Sequence, residues 1–191
     1  MPRKPRIWVP NSFYHITCRG NRKEALFKEE ADYRTFLTIL RQLHERAPFE
    51  IASYCLMSNH YHLQLRSKDH NLAKLMWYMN KKFATYFNAK YNLSGHVFEN
   101  RYFGEVINDR AGMLAVSRYI HRNPVDAEMV KLAEDYPWSS YHFYKNNERN
   151  VPPYMNTEII LDLFSGGDGN RSIYYHGFVQ TPLPRRTPKI T

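Results

Sequence analysis

The run His60-Tyr61-His62-Leu63-Gln64-Leu65-Arg66 alternates without a break, and a period of two is the signature of a β-strand. His60, His62, Gln64 and Arg66 fall on one face, and Tyr61, Leu63 and Leu65 on the other. A second apolar run precedes it. Across residues 49–67 the two runs join around Met57-Ser58-Asn59, the residue types of a turn between antiparallel strands.

The rest of the chain reads as alternating elements. Residues 13–19 form a short strand ending in Gly20. Residues 31–46 place Tyr33, Phe36, Leu37, Leu40 and Leu43 at helical spacing. Residues 71–91 do the same with Leu72, Leu75, Met76, Met79 and Phe83, while Lys74, Lys81 and Asn88 recur on an outer face. Residues 94–108, with Gly95, Phe98, Tyr102, Phe103 and Gly104, read as a further strand or hairpin. Asp109 then caps a third helix, which is expected to end near Asn123 because Pro124 disfavours helical geometry in the residue before it. The order strand, helix, strand, strand, helix, strand predicts an α+β fold, a ferredoxin-like antiparallel sheet with packed helices. The third helix is an addition to that core.

Beyond Tyr136-Pro137-Trp138 the periodicity weakens. Gly166-Gly167-Asp168-Gly169 reads as a flexible break, and the three prolines within residues 181–191 predict a loose tail. The expected division is a domain over residues 1–145, with a basic N-terminal arm, and a partly flexible C-terminal extension over residues 146–191.

Charge narrows the partners. A formal net charge of +9 and a pI near 9.5 favour polyanions, and nucleic acid fits better than a membrane surface. No apolar run approaches the roughly 18 residues needed to cross a bilayer. The charged N-terminus has no apolar signal core behind it, so a cytoplasmic location is expected. The two cysteines, Cys18 and Cys55, are too few for a disulfide framework and are expected to be reduced packing residues.

Two imidazoles on one strand face, at i and i+2, are within reach of a single divalent ion. By spacing alone, such a pair is more often a surface or packing feature. A second constellation lies in Tyr119-Ile120-His121-Arg122-Asn123-Pro124, where Tyr119 and Asn123 share a helical face. A carboxamide oxygen suits a hard divalent ion, and a phenol beside such an ion loses its proton more readily and attacks phosphorus. Taken by spacing alone, Tyr119 reads more readily as a core residue and Asn123 as a helix end. His15, His96 and His121 lie near these motifs and are read as structural.

Three motifs occur in order: the string around His60, the Tyr-Ile-His-x-Asn-Pro-Val run at 119–125, and Tyr136-Pro-Trp-Ser-Ser-Tyr141. Arg19-Gly20-Asn21-Arg22 and Ser94-Gly95-His96-Val97-Phe98 accompany them. Together they resemble the REP-associated tyrosine transposases, within the HUH single-tyrosine, IS200-like class, from about Arg6 through Tyr144. The resemblance implies that His60 and His62 bind Mg²⁺ or Mn²⁺, with Asn123 as third ligand and Tyr119 as nucleophile. Tyr61 departs from the hydrophobic middle residue of that class, and related insertion-sequence transposases often carry Gln where Asn123 stands.

The implied reaction is cleavage and strand transfer on single-stranded DNA at hairpin-containing, REP-like sites through a 5′-phosphotyrosine. DNA contacts are expected from Arg3, Lys4, Arg6, Arg19, Arg22, Lys74, Lys81 and Arg101, in a monomer or homodimer. The main alternative is a non-catalytic, domesticated DNA-hairpin binder. An RNA-binding module and a water-activating nuclease are further readings.

Overall fold

The computed structural model describes residues 8–145, 150–165 and 168–181. The elements are β1 (Tyr14–Arg19), α1 (Glu30–Arg46), β2 (Glu50–Leu56), β3 (His60–Arg66), α2 (Leu72–Tyr91), β4 (Phe103–Val106) and α3 (Arg110–Asp126). Three further helices follow, α4 (His142–Lys145), α5 (Glu158–Leu161) and α6 (Asp168–Gln180). The strands form one antiparallel sheet in the order β2-β3-β1-β4. This is the α+β arrangement expected from the alternation of elements.

The sheet separates two environments. Ile16 and Cys18 of β1 and Tyr61, Leu63 and Leu65 of β3 point to the face covered by α1 and α2, where Phe36, Leu40, Met76 and Phe83 complete the core. Each large apolar side chain buried there contributes about 1.5–3 kcal/mol. The other face carries His15, Thr17 and Arg19 of β1, His60, His62 and Gln64 of β3, and Ser53 and Cys55 of β2, by the strand register. α3 lies across that face. Cys18 and Cys55 are both buried, and neither forms a disulfide.

Buried Asp32 ties α1 to α2. It accepts from the backbone N–H groups of Lys28 and Glu29, closing a capping box with Glu29, and from Lys90, Tyr86 and Tyr91 of α2. Burial alone would raise its carboxyl pKa, but the bonds from Lys90 and Tyr91 outweigh it and hold the group below its ordinary value.

Asp109 caps α3 as its position suggests, its side chain accepting from Gly112 N–H at 2.7 Å. The expected stop near Asn123 is a correction: the helix carries Pro124 inside it and runs to Asp126. Proline in a last turn deletes a single helical bond. The turn survives because Asn123 O accepts from Ala127 N–H and Pro124 O from Met129 N–H, both at 2.9 Å.

The strand expected over residues 94–108 is confined to Phe103–Val106. The residues before it run along the end of β1, where Gly20 bridges to Phe98, Asn21 N–H donates to Val97 O and Glu99 N–H to Arg19 O. Gly20 is needed at this crossing. A Cβ there would sit 2.2 Å from the carbonyl oxygen of Glu24.

The C-terminal part is docked over its described residues. Tyr154 and Met155 join the main core, and Ile51 bridges to Met155. Tyr175 and Val179 of α6 are fully buried in the cluster beside α3. Asp168 and Gly169 open α6 rather than a flexible break. Gly166, Gly167, most of the expected tail and the arm residues Arg3, Lys4 and Arg6 lie outside the described residues. Among the described residues no helix is long and apolar enough to cross a membrane.

Candidate active site

The site begins at the turn between β2 and β3. Asn59 Nδ2 donates to Lys23 O at 3.1 Å, which fixes the amide so that Oδ1 faces His60 Nδ1 at 2.7 Å. An amide oxygen only accepts, so His60 carries its proton on Nδ1 and keeps a lone pair on Nε2. His62 shows the same polarity. Its Nε2 faces Asn123 Nδ2 at 3.3 Å, a donor, while its Nδ1 lies 3.2 Å from Thr17 Oγ1 and 3.0 Å from His15 Nε2. Asn123 thus lies against both imidazoles, and each ring has a further partner that orients it.

Helix α3 supplies the opposite wall. Tyr119 and Asn123, four residues apart, face the sheet together. The Tyr119 ring stands edge-on to His62, with centroids 5.4 Å apart, and to His15 at 5.7 Å. It remains 40% exposed, so a bulky substrate can reach it. A single chain brings His60, His62, Tyr119 and Asn123 together.

What holds α3 in place is polar on both sides. Toward the sheet, buried Gln64 accepts from Ser53 Oγ at 2.8 Å and donates to Met113 O in the first turn of α3 at 3.1 Å. Away from the sheet, His121 bonds Tyr175 OH at 2.6 Å and Ser140 Oγ at 2.8 Å, and Arg122 donates to Val179 O and Gln180 O of α6. His121 is thus structural, as read from its position. His15 is not merely structural: it stacks on His62 with centroids 5.2 Å apart and touches the site directly.

The electrostatics favour neutral imidazoles. Burial first, and then the Arg19 guanidinium, push His60 down to about 4, which contact with Asn123 partly offsets. His62 is held well below its ordinary value by burial, with His60, His15 and Arg19 adding to it. Burial likewise lowers His15, against the nearby Glu105 carboxylate. Neutral imidazole is the form that ligates metal.

The donor set fits a divalent ion. Turning the Asn123 amide end for end brings Oδ1 to His62 Nε2 and places an amide oxygen beside both imidazoles. Two imidazoles and one amide oxygen suit Mn²⁺ from both sides, and Mg²⁺ through the oxygen. Among the described residues no cluster of three His, Cys, Asp or Glu could hold a metal, so phosphate and water oxygens would complete the shell.

The expected DNA-contacting residues divide. Arg19 pairs across from His60 and lies at the site. Arg22 follows in the adjoining 3₁₀ turn, with a left-handed backbone at φ 53°. Lys74 and Lys81 lie on α2, across the sheet, and Arg101 lies in the loop before β4. Tyr61, the unusual middle residue, is fully buried against Phe36, and its hydroxyl donates to Asn80 Oδ1 at 2.7 Å. A phenol fits there because the core supplies an acceptor. His15, Thr17, Asn59 and Gln64 were not singled out from the sequence as site residues. Only the alternation of His15, Thr17 and Arg19 along β1 hinted at the first two.

Comparison with known proteins covers the same region. The family model for the IS200-like transposases matches residues 9–123, a span that includes His60, His62, Tyr119 and Asn123. A protein of Haemophilus influenzae, assigned as a REP-associated tyrosine transposase, is 30% identical over 143 residues, 68% of this chain and 78% of its own length. A solved structure of a REP-associated tyrosine transposase bound to a REP hairpin shares the fold with a TM-score of 0.64 at 20% identity, covering 75% of this chain and 84% of that one. By the extent of the family match and the identity to that relative, this chain belongs to the IS200-like transposase family.

Proposed function

We propose that this protein cleaves and rejoins single-stranded DNA beside hairpin-forming, REP-like sequences, with Tyr119 as the nucleophile. The observation that carries the reading is that Asn123 lies against both His60 and His62, 3.3 Å from His62 Nε2, with the Tyr119 ring edge-on 5.4 Å from His62. The relative bound to a REP hairpin supports the substrate class.

The reaction follows from these groups. Tyr119 Oη attacks the scissile phosphorus in line and releases its proton to solvent. The bond from phosphorus to the 3′ oxygen breaks, and that oxygen takes up a proton. The products are a 5′-phosphotyrosine and a free 3′-OH, which reverses the step on another strand. His60, His62 and Asn123 would hold a divalent ion, Mg²⁺ or Mn²⁺, which would supply Lewis-acid stabilisation of charge on the phosphate oxygens. His15 and Thr17 keep the His62 lone pair aimed inward, and Asn59 does the same for His60. Arg19 is placed to hold a phosphate oxygen. Net charge favours the DNA, and the half-exposed phenol admits it.

The retained tyrosine and imidazoles weigh against a non-catalytic hairpin binder. The test incubates the full chain with end-labelled hairpin DNA carrying single-stranded flanks and Mn²⁺. A nick in the single-stranded flank with a protein-linked 5′ fragment is expected. Equal DNA binding with no linked fragment would favour the non-catalytic binder, and a nick with a free 5′ end would favour water as nucleophile.

A further inference from the structure

A second feature lies at the same end of the sheet, on the opposite face. A cavity of about 780 Å³ opens between α2 and the 95–102 loop, walled by Met76, Trp77, Phe98 and Tyr102 and rimmed by Lys81 and Arg101. That is the size of site that takes one small ligand or nucleotide. Trp77 is 62% exposed, an unusual cost for the largest aromatic side chain, and the Lys81 ammonium lies 4.7 Å from its ring centroid.

The cavity is tied to the reacting end of the fold. Its loop bonds to β1 through Asn21 N–H to Val97 O at 2.8 Å and Glu99 N–H to Arg19 O at 3.0 Å. The next residue over, Gly20, donates to Asn59 O at 2.8 Å, and Asn59 orients His60. Arg19 and Arg22 lie at this end of β1, in the segment that bonds to the cavity's loop. The lining sets these two cations against the single carboxylate of Glu99.

We propose that this cavity receives an unpaired nucleobase of the DNA strand whose scissile phosphate lies at the His60–His62 site, stacked on Trp77 with its phosphate beside Lys81. The inference rests on the DNA-processing reading above and adds a base-binding subsite to it. Aromatic walls accept any base by its face, and the flanking cations neutralise the backbone.

The test measures affinity of the full chain for hairpin DNA in which each unpaired flanking nucleotide is replaced in turn by an abasic residue. In the wild type one position is expected to weaken binding about tenfold, the scale of one base stacked on an aromatic side chain. Trp77→Ala, at an exposed side chain, is expected to weaken intact DNA by a similar factor and to lose the sensitivity at that position alone. Ala73→Phe, which fills the cavity, is expected to act alike. If Trp77→Ala binds intact DNA as tightly as wild type, or its loss simply adds to the abasic loss, the cavity does not hold a base. Failure of the wild type to bind any hairpin DNA would overturn the function reading and this inference together; the preceding outcome overturns this inference alone.

Discussion

His62 Nε2 and Asn123 Nδ2 lie 3.3 Å apart although 61 residues separate them in the chain. That contact joins the polar face of β3 to the inner face of α3, and the metal-site reading depends on it. Two faces legible as separate patterns become one site only because α3 crosses the sheet at this point.

Metal affinity should follow the donor set. His62→Ala is expected to abolish measurable Mn²⁺ binding, and Asn123→Ala to weaken it by about tenfold or more, as losses around metal sites do. Asn123→Asp, which guarantees an oxygen toward the ion, is expected to bind at least as well as wild type. Calorimetric titration with Mn²⁺ checks all three. Unchanged affinity in Asn123→Ala would remove the amide from the ligand set.

Because one chain supplies all four groups, the site should work in cis. A mixture of Tyr119→Phe and His60→Ala proteins is expected to remain as inactive as either alone. Recovery of linked DNA product in the mixture would show that the tyrosine of one copy serves the imidazoles of another.

The anchoring of α3 should matter to rate more than to binding. Gln64→Leu keeps the volume but removes the bonds to Ser53 and Met113 O. Leaving those buried groups unpaired is expected to cost about 1–3 kcal/mol of stability. The cleavage rate is expected to fall by up to about 100-fold, the effect of a displacement near 1 Å, with hairpin affinity unchanged. Denaturant titration and single-turnover cleavage read the two effects separately.

Much of the fold and of the site is legible in the sequence. Alternation in β3, the helical stripes of α1 and α2 and the Asp109 cap are local patterns, and local patterns survive in a sequence. The pairing of β1 with β3 is not local. Without the register that sets Thr17 opposite His62, nothing separates His15 from His96 and His121, which also lie near the motifs. The docking of α6 was hidden for a related reason: its buried stripe is little more than Tyr175 and Val179, too short to stand out. The proline rule is a bias and not a bar, and α3 continues past Pro124 because Asn123 O and Pro124 O still accept from the Ala127 and Met129 N–H groups.

Stability should fall on mild acidification. Burial first, then the charge of His142, push His121 down to about 3, against 6.5 for a free imidazole. Between those values the unfolded chain takes up a proton that the folded one refuses. The contribution is therefore complete above about pH 6.5, declines as pH drops through the window, and levels off below about 3, for a loss on the order of 4 kcal/mol. Unfolding free energies measured from pH 7.5 to 4.5 should slope less steeply in His121→Gln than in wild type. Equal slopes would mean that another group carries the dependence.

The central claim is that Tyr119 is the atom source of the covalent bond to DNA. Peptide mapping by mass spectrometry, after reaction with hairpin DNA and Mn²⁺ and nuclease digestion, locates the modified residue among the fifteen tyrosines. A nucleotide remnant on the peptide containing Tyr119, absent in Tyr119→Phe, is the expected result. A remnant on any other residue, or an adduct that persists in Tyr119→Phe, would contradict the account.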